Sequence, residues 1–162
     1  MLSRESRDKI LSMKIDKGKS IFQIICFVAV FAVIVFFLYN KSYPSKLILG
    51  GKVFTVEVAD TAKLLEKGLS DHIPLKSDEG MLFVFQKEDK YGFWMKDMLF
   101  SIDILWIDSN LKIVHIEKSL RPETYPKIFY PNSVALYVLE LKAGEVQNLN
   151  LKIGDSLEIV KK

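Results

Sequence analysis

Asp103 is the polar residue whose setting in the sequence says most about chemistry. It lies in the run IDILWI (102–107), where it shares one strand face with Leu105 and Ile107 while the other face is also apolar. Such a strand is expected to be buried, and a buried carboxylate needs a partner. Two interpretations stay open. The residue is either a structural carboxylate that accepts loop amides or pairs with Lys96, or a ligand-binding or acid/base carboxylate.

Two further segments carry side chains that are suited to binding. The first is FWMK, and the second is the proline-rich segment KSLRPETYPKIFYPN (118–132). Aromatic rings offer contact area with a polar handle, and basic side chains offer charge. The catalytic candidates are Asp103 and Lys96, and the ligand-binding candidates are Trp94, Lys96, Asp103, Arg121 and Tyr125.

Metal and cofactor sites receive little support. Glu57 and Glu140 also interrupt apolar strands, so with Asp103 they form a candidate site for a hard cation, although no Asp-x-Asp-x-Asp loop accompanies them. His72 and His115 are the only histidines in the sequence, and residues 44–162 contain no cysteine that could complete a zinc site with them. Phosphate-binding and dinucleotide glycine motifs are absent from the sequence. We therefore expect no metal and no cofactor.

Short strands are predicted to position these residues, because apolar and β-branched residues alternate or cluster in runs of five to nine. Short helices are predicted between Asp60 and Lys67 and after Ala143. The pattern favours a mostly β fold, a small antiparallel β-sandwich or partly closed barrel with two short helices. The predicted strands are 52–59, 81–85, 91–96, 102–107, 111–117, 133–141 and 156–160.

Two connections carry specific expectations. Asp108-Ser109-Asn110 joins the strands 102–107 and 111–117 as a three-residue hairpin loop, in which Asn110 is predicted to take the left-handed position. Segment 118–132 holds three prolines and is predicted to be a long loop without a regular strand. Long loops in small domains are often functional.

An uncharged apolar run, Ile21 to Tyr39, precedes this domain. As a helix it would be about 28 Å long, which is close to the thickness of a bilayer core. Six basic residues precede the run and three follow it within 20 residues, which predicts a cytoplasmic N-terminus and an extracytoplasmic domain. The run is longer than a signal-peptide core and no Ala-x-Ala site follows it, so we expect an uncleaved anchor.

The predicted organisation has four parts, with most of the positive charge at the N-terminus. Residues 1–43 carry a net charge of +4, whereas residues 44–162 carry sixteen basic and seventeen acidic residues, a net of −1. A domain without excess positive charge is a poor binder of nucleic acid. The parts are a cytoplasmic basic tail (1–20), a transmembrane helix (21–39), a short linker (40–45) and an extracytoplasmic β-rich domain (46–162).

Several stretches of this domain together resemble one prokaryotic family, the domain of unknown function 192. The resemblance covers nearly the whole exported domain in the right order, and its members are often exported or membrane-anchored. It implies a small, mostly β fold and implies no reaction. The stretches are VEVADTAKLLEKGL (56–69), DEGMLFVF (78–85), FWMKDMLFSIDILWID (93–108), YVLELKAG (137–144) and KIGD (152–155).

These observations predict a membrane-anchored extracytoplasmic binding or accessory module. The alternative is a small envelope hydrolase that uses Asp103, although no Gly-x-Ser-x-Gly elbow is present. Expected partners are membrane lipid, contacted through residues 21–39, and either a small-molecule ligand or an envelope protein contacted through segment 118–132. Nucleic acid is not an expected partner.

Overall fold

The computed structural model describes residue 23, residues 25–32 and residues 46–160. Residues 25–32 are helical and exposed. No helix within the described residues is long and apolar enough to span a membrane.

The predicted N-terminal organisation falls largely outside the described residues. The basic tail 1–20 and the linker 40–45 lie wholly outside them, and the apolar run 21–39 lies mostly outside them. The anchor, its orientation and its retention therefore stay predictions.

Residues 46–160 form a mostly β domain, which confirms the predicted class and its two short helices. The predicted strand Lys52–Ala59 has the bounds observed, with Phe54 and Val56 buried and Val58 partly buried on one face. The elements are β1 (Lys46–Leu49), β2 (Lys52–Ala59), α1 (Ala62–Lys67), β3 (Glu79–Asp89), β4 (Phe93–Trp94), β5 (Ile102–Ile107), β6 (Ile113–Leu120), a 3₁₀ turn (Pro122–Thr124), β7 (Ile128–Phe129), β8 (Ala135–Lys142), α2 (Glu145–Asn148) and β9 (Leu157–Ile159).

Seven strands form one curled sheet in the order β6-β5-β8-β3-β2-β1-β9. The edge strands meet where Lys112 bridges Ser156 and the Leu157 amide donates to the Leu111 carbonyl at 2.8 Å. The sheet is thus a partly closed barrel rather than a sandwich. The expectation of a wholly antiparallel sheet is wrong at one pair, since β2 and β3 run parallel. Helix α1 lies between these two strands in the chain and forms the crossover connection that a parallel pair requires.

Both faces of the sheet are covered by apolar side chains. One face packs into a core that contains Phe54, Leu82, Leu105 and Leu139, among others. The other face packs into a second core that contains Phe83, Ile104, Trp106 and Val138. Because every residue of β5 is buried, its alternate side chains enter the two cores in turn. We call the face that carries Phe54 and Leu105 the inner face of the sheet, and the face that carries Phe83 and Ile104 the outer face.

Strand β1 was not predicted from the sequence. It pairs with β2 through a two-residue turn, Gly50-Gly51, in which both residues have positive φ angles of 58° and 76°. Two glycines between short alternating runs are a strong hairpin signal, because this turn type needs positive φ at both positions. The predicted strands begin only at Lys52, because a run of four residues is too short to show a clear alternation.

The hairpin between β5 and β6 forms as predicted, but its turn differs from the prediction. Leu111, and not Asn110, takes the left-handed conformation, with φ 60°. The Asp108 carboxylate accepts hydrogen bonds from the amides of Asn110 and Lys112, both at 2.9 Å. This carboxylate extends the loop to Lys112 and moves the left-handed residue one position along the chain.

Segment 118–132 is more ordered than predicted. Strand β6 continues to Leu120, and β7 pairs with β4 as a separate two-stranded sheet. The prediction of a loop without a regular strand is therefore wrong at Ile128–Phe129. These two residues lie between Pro126 and Pro131, and both prolines stay outside the strand pairing because proline has no backbone N–H to donate.

Candidate functional site

The end of helix α1 forms one side of a depression on the outer face. Thr61 caps the start of the helix, and its side chain accepts a hydrogen bond from the Leu64 amide. Gly68 ends it with φ 50°, and its amide donates to the Leu64 carbonyl at 2.9 Å. A Cβ at this position would lie 3.2 Å from the Phe83 ring. Glycine therefore allows both the turn and the close approach of the helix end to that ring.

Aromatic residues form the opposite wall and hold one another in place. Phe85 stacks on Tyr91 with ring centroids 3.5 Å apart, and Phe93 meets Phe83 edge to face at 4.8 Å. The indole Nε1 of Trp106 donates to the Tyr91 carbonyl at 2.8 Å. These contacts fix the segment that carries the exposed ring of Trp94.

Glu140 lies at this wall in the middle of the sheet. It stands opposite Ile104 on β5 and opposite Met81 on β3. Both neighbours are buried and apolar, and Val138 precedes Glu140 on the same face of β8. The carboxylate thus occupies a position that the strand pattern otherwise reserves for apolar side chains.

The Glu140 carboxylate is buried without compensation. The residue is 4% exposed, and its Oε2 atom has no hydrogen-bond partner among the described residues. Burial raises the pKa of the Glu140 carboxyl from 4.5 to about 8, because an apolar environment disfavours the charged form. An unpaired buried carboxyl is costly in either protonation state, so its presence needs an explanation.

A cavity of about 140 Å³ opens beside Glu140. We call it the inner cavity because it is the more enclosed of two depressions, both of which lie on the outer face of the sheet. It is bounded by the turn after α1, by Met98, by Glu140 and by an aromatic wall. The aromatic wall consists of Phe83, Phe85, Tyr91, Phe93 and Trp94.

A second, more open depression of about 310 Å³ adjoins the first. We call it the outer groove, and it is lined by Lys63, Glu66, Lys67, Ser70, Trp94, Lys96 and Asp97. Two hydrogen bonds join its sides. The Ser70 hydroxyl donates to the Lys96 carbonyl, and the Asp71 amide donates to the Asp97 carbonyl, both at 2.9 Å.

Two of the predicted ligand-binding residues lie at this site. Trp94 lines both the inner cavity and the outer groove, and it is 46% exposed. Lys96 lines the outer groove and is exposed. The structure therefore brings these two side chains to one surface.

Asp103 lies elsewhere, on the inner face of the sheet, and is completely buried. Its Oδ1 accepts the Ser119 amide at 2.7 Å and its Oδ2 accepts the Val146 amide at 2.9 Å. The expectation that Asp103 pairs with Lys96 is wrong, because its donors are two backbone amides. Asp103 instead ties β6 to the start of α2, which is a structural role, and it lines neither the inner cavity nor the outer groove.

Arg121 and Tyr125 flank the 3₁₀ turn and are exposed. Neither lines the inner cavity or the outer groove. The structure does not bring them together with Trp94 and Lys96.

The hypothesis of a cation held by three carboxylates is wrong. Asp103 and Glu140 lie on opposite faces of the sheet, because Asp103 pairs with Leu141 while Glu140 pairs with the next residue of β5, Ile104. Glu57 is exposed, and its nearest charged partner is His72 at 3.8 Å. Within residues 23, 25–32 and 46–160, no three potential metal ligands converge.

Glu140 is the functional candidate that sequence reasoning undervalued. Both Glu140 and Asp103 interrupt apolar strands, yet the sequence analysis predicts a site at Asp103 and assigns Glu140 only to a candidate cation site. The sequence ALYVLELK does hold a signal, since Glu140 shares a strand face with Val138. That signal does not separate the two carboxylates, because the donors that satisfy Asp103 come from elements 16 and 43 residues away.

The domain matches a known family model over most of its length. The model of DUF192, described as an uncharacterized ACR, matches residues 46–159. A protein of Thermococcus sibiricus named UPF0127 protein is 30% identical over 112 residues, which are 67% of this chain and 69% of the relative. A protein of the same name from Thermococcus gammatolerans is 29% identical over 102 residues, which are 62% of this chain and 63% of the relative.

Two crystal structures share the fold. One is a "putative transcription regulator" from Sinorhizobium meliloti, with 31% identity and a TM-score of 0.65 over 74% of this chain and 97% of that chain. The other is a protein of unknown function from Novosphingobium aromaticivorans, with 26% identity and a TM-score of 0.67 over 74% of this chain and 89% of that chain.

Proposed function

Because this chain belongs to the DUF192 family, whose description names no reaction, we propose a function from the chain's own site: it is a binding module that takes a compact ammonium group into the inner cavity. The observation that carries the proposal is the buried carboxylate of Glu140, whose Oε2 atom has no partner among the described residues.

A cationic ligand group offsets the cost of burying this carboxylate. An isolated carboxylate in an apolar environment is unfavourable, and its raised pKa reflects that cost. An ammonium group beside it provides the opposite charge and, when it carries hydrogens, donors for the free oxygen. The penalty is present before binding and is reduced on binding, so it favours the bound state.

The remaining walls suit such a group. Aromatic faces attract cations through their ring quadrupoles, and cages of such rings recognise quaternary ammonium groups. The size also fits, because an apolar cavity of about 150 Å³ is known to hold a benzene molecule, which is similar in size to a trimethylammonium group. A cavity of about 140 Å³ with five aromatic side chains therefore accepts a small cationic head and no larger body.

Choline and 3,3-dimethyl-1-butanol are the matched probes, since the second replaces the charged nitrogen of the first with carbon. We expect isothermal titration calorimetry of the full chain, in a maltoside detergent that lacks both ammonium and phosphate, to show binding of choline at pH 8. The uncharged analogue should bind at least about tenfold more weakly, which corresponds to one ion-pair contribution of about 1.4 kcal/mol.

Glu140→Gln tests the assigned residue and keeps the side-chain shape. It should remove the preference for choline over the uncharged analogue. Glu158→Gln is the control, because Glu158 is an exposed carboxylate on β9 and should leave that preference unchanged. Equal binding of both probes to the parent chain, or a preserved preference in Glu140→Gln, would contradict the proposal.

The hydrolase alternative receives no support from the geometry. Asp103 is fully buried and both of its carboxylate oxygens accept backbone amides, so neither is directed to a substrate site. Lys96, its suggested catalytic partner, lies at the outer groove. We therefore favour binding over catalysis.

The membrane anchor stays part of the proposal. Its support is the uncharged apolar run 21–39 and the six basic residues that precede it. A periplasmic-type reporter fused after Lys162 should be active, and the purified protein should retain residues 21–39. A mature form that begins near Ser45 would contradict the anchor.

Partners other than a small molecule remain proposals of lower support. An envelope protein could contact segment 118–132, which exposes Tyr125, Ile128 and Tyr130. The name of the Sinorhizobium relative refers to transcription, but residues 44–162 of this chain carry a net charge of −1, which does not favour DNA. We propose that nucleic acid is not a partner.

A further inference from the structure

The outer groove carries charge of the opposite sign to the inner cavity. Lys63, Lys67 and Lys96 line it against two acidic residues, Glu66 and Asp97. None of the three lysines forms an ion pair with another described residue. Unpaired cations at the mouth of a cavity attract anionic groups from solution.

The two depressions are continuous with each other. Glu66, Lys67, Ser70 and Trp94 line both of them. A ligand whose cationic head contacts Glu140 therefore extends past Trp94 and reaches the lysines. Along this path the protein presents a carboxylate first, then aromatic rings and then ammonium groups.

From this order of charges we propose that the site binds a zwitterion, with its ammonium group in the inner cavity and a phosphate or carboxylate in the outer groove. The inference rests on the proposed function and names the ligand class more closely. A free anion gains nothing from Glu140, and a simple cation gains nothing from the lysines, so a molecule with both groups makes the best use of the site. The same chemistry occurs in soluble phosphocholine and in the headgroup of a choline lipid.

The reversed arrangement does not fit. An anionic group in the inner cavity would meet a buried carboxyl and the negative faces of aromatic rings. A cationic group in the outer groove would meet three lysines against two carboxylates, a lining with a net positive charge. The site therefore defines the direction of the ligand as well as its class.

Calorimetry of the full chain with choline, phosphocholine and inorganic phosphate tests the inference. At low salt and pH 8 we expect phosphocholine to bind about tenfold more tightly than choline, from two exposed ion pairs of modest strength. Inorganic phosphate alone should bind more weakly than either. The advantage of phosphocholine should decline as salt is added, whereas choline binding should change less.

Lys63→Ala/Lys96→Ala separates the two halves of the site, because these two lysines line only the outer groove. This double variant should lose the tenfold advantage of phosphocholine and keep the affinity for choline. Lys112→Ala/Lys152→Ala is the control, because it removes two exposed lysines that do not line the groove and matches the change in net charge. It should keep the advantage.

The outcomes distinguish this inference from the proposed function. If choline binds and phosphocholine binds no more tightly, the zwitterion is wrong and the cation site stands. If neither probe binds, both are wrong. Binding of phosphocholine to the full chain in nanodiscs distinguishes a lipid headgroup from a free solute. Weaker binding in phosphatidylcholine discs than in phosphatidylglycerol discs would indicate that the lipid headgroup occupies the site. Equal binding in both would indicate a free solute, and either result agrees with the inference.

Discussion

Two buried carboxylates on neighbouring strands of one sheet have opposite surroundings. Asp103 on β5 is fully buried and accepts two backbone amides, at 2.7 Å and 2.9 Å. Glu140 on β8 is nearly as buried, yet its Oε2 atom has no partner among the described residues. The pair shows that burial alone does not mark a functional carboxylate, and that the donors around it decide between a structural and a binding role.

The difference follows from which face of the sheet each side chain enters. On the inner face, amides from the neighbouring strand β6 and from the start of α2 reach Asp103. The outer face is covered by side chains of α1, by the segment 91–98 and by β7, and apolar side chains there offer no donors. A carboxylate on the outer face thus finds no donor among the described residues, and this is the basis of the proposed ligand site.

The largest expected effect is the loss of the satisfied carboxylate. Asp103→Ala removes two hydrogen bonds to a charged acceptor and leaves two amides unpaired, so we expect a loss of about 3 kcal/mol in the free energy of unfolding. Urea denaturation of the full chain, followed by tryptophan fluorescence, measures it. A loss below about 1 kcal/mol would show that the two bonds contribute little to stability.

The unsatisfied carboxylate should behave in the opposite way. Its folded pKa of about 8 lies above its ordinary 4.5, so the folded state holds a proton that the unfolded state releases between these pH values. Stability should therefore fall as the pH rises from about 4.5 to 8. Glu140→Gln should remove this fall and gain stability on the order of a few kcal/mol at pH 9, with little change at pH 4.

The control for this prediction is Glu158→Gln, which changes an exposed carboxylate. It should leave the dependence of stability on pH as in the parent chain. A parent chain whose unfolding free energy does not fall between pH 5 and 8 would show that Glu140 has a partner or is ionised with little penalty.

The affinity for choline should follow the ionisation of the same carboxyl. Only the charged form attracts the cation, so affinity should rise with pH below 8, by about tenfold or about 1.4 kcal/mol in total, and level off above it. Calorimetry in two buffers of different ionisation enthalpy should show release of a proton on binding at pH 7. A flat pH profile would indicate that Glu140 does not contact the cation.

The smallest effect concerns the backbone that Asp103 holds. Ser119, whose amide donates to Asp103, has φ 50°, a conformation that is unfavourable for residues with a side chain. Ser119→Gly should keep the hydrogen bond and gain up to about 1 kcal/mol of stability. Ser119→Ala serves as the control and should gain nothing, because alanine has the same backbone preference. Thermal unfolding of both variants measures the difference.

How much of the site could be predicted depended on how local each signal was. Trp94 and Lys96, two of the predicted ligand-binding residues, both line the outer groove, as their closeness in the sequence favours. Their role in binding stays a prediction. Arg121 and Tyr125 were grouped with them only because proline-rich segments are often functional, and the fold places them elsewhere. The hairpin was predicted from alternation, but its left-handed residue was not, since the Asp108 carboxylate shifted the turn by one position.

The sequence by itself determined the mostly β class, the strand Lys52–Ala59, the hairpin of β5 and β6 and the burial of Asp103, because these depend on residues a few positions apart. Only the tertiary structure decided that Asp103 is satisfied and Glu140 is not. The donors to Asp103 are backbone amides that are distant in sequence. Every residue except proline has such an amide, so the residue type at a position does not predict which amide will be the donor. The inner cavity likewise arises where α1, β3, the segment 91–94 and β8 come together. The distinction between a carboxylate that accepts backbone amides and one that has no partner among the described residues is therefore a property of long-range packing.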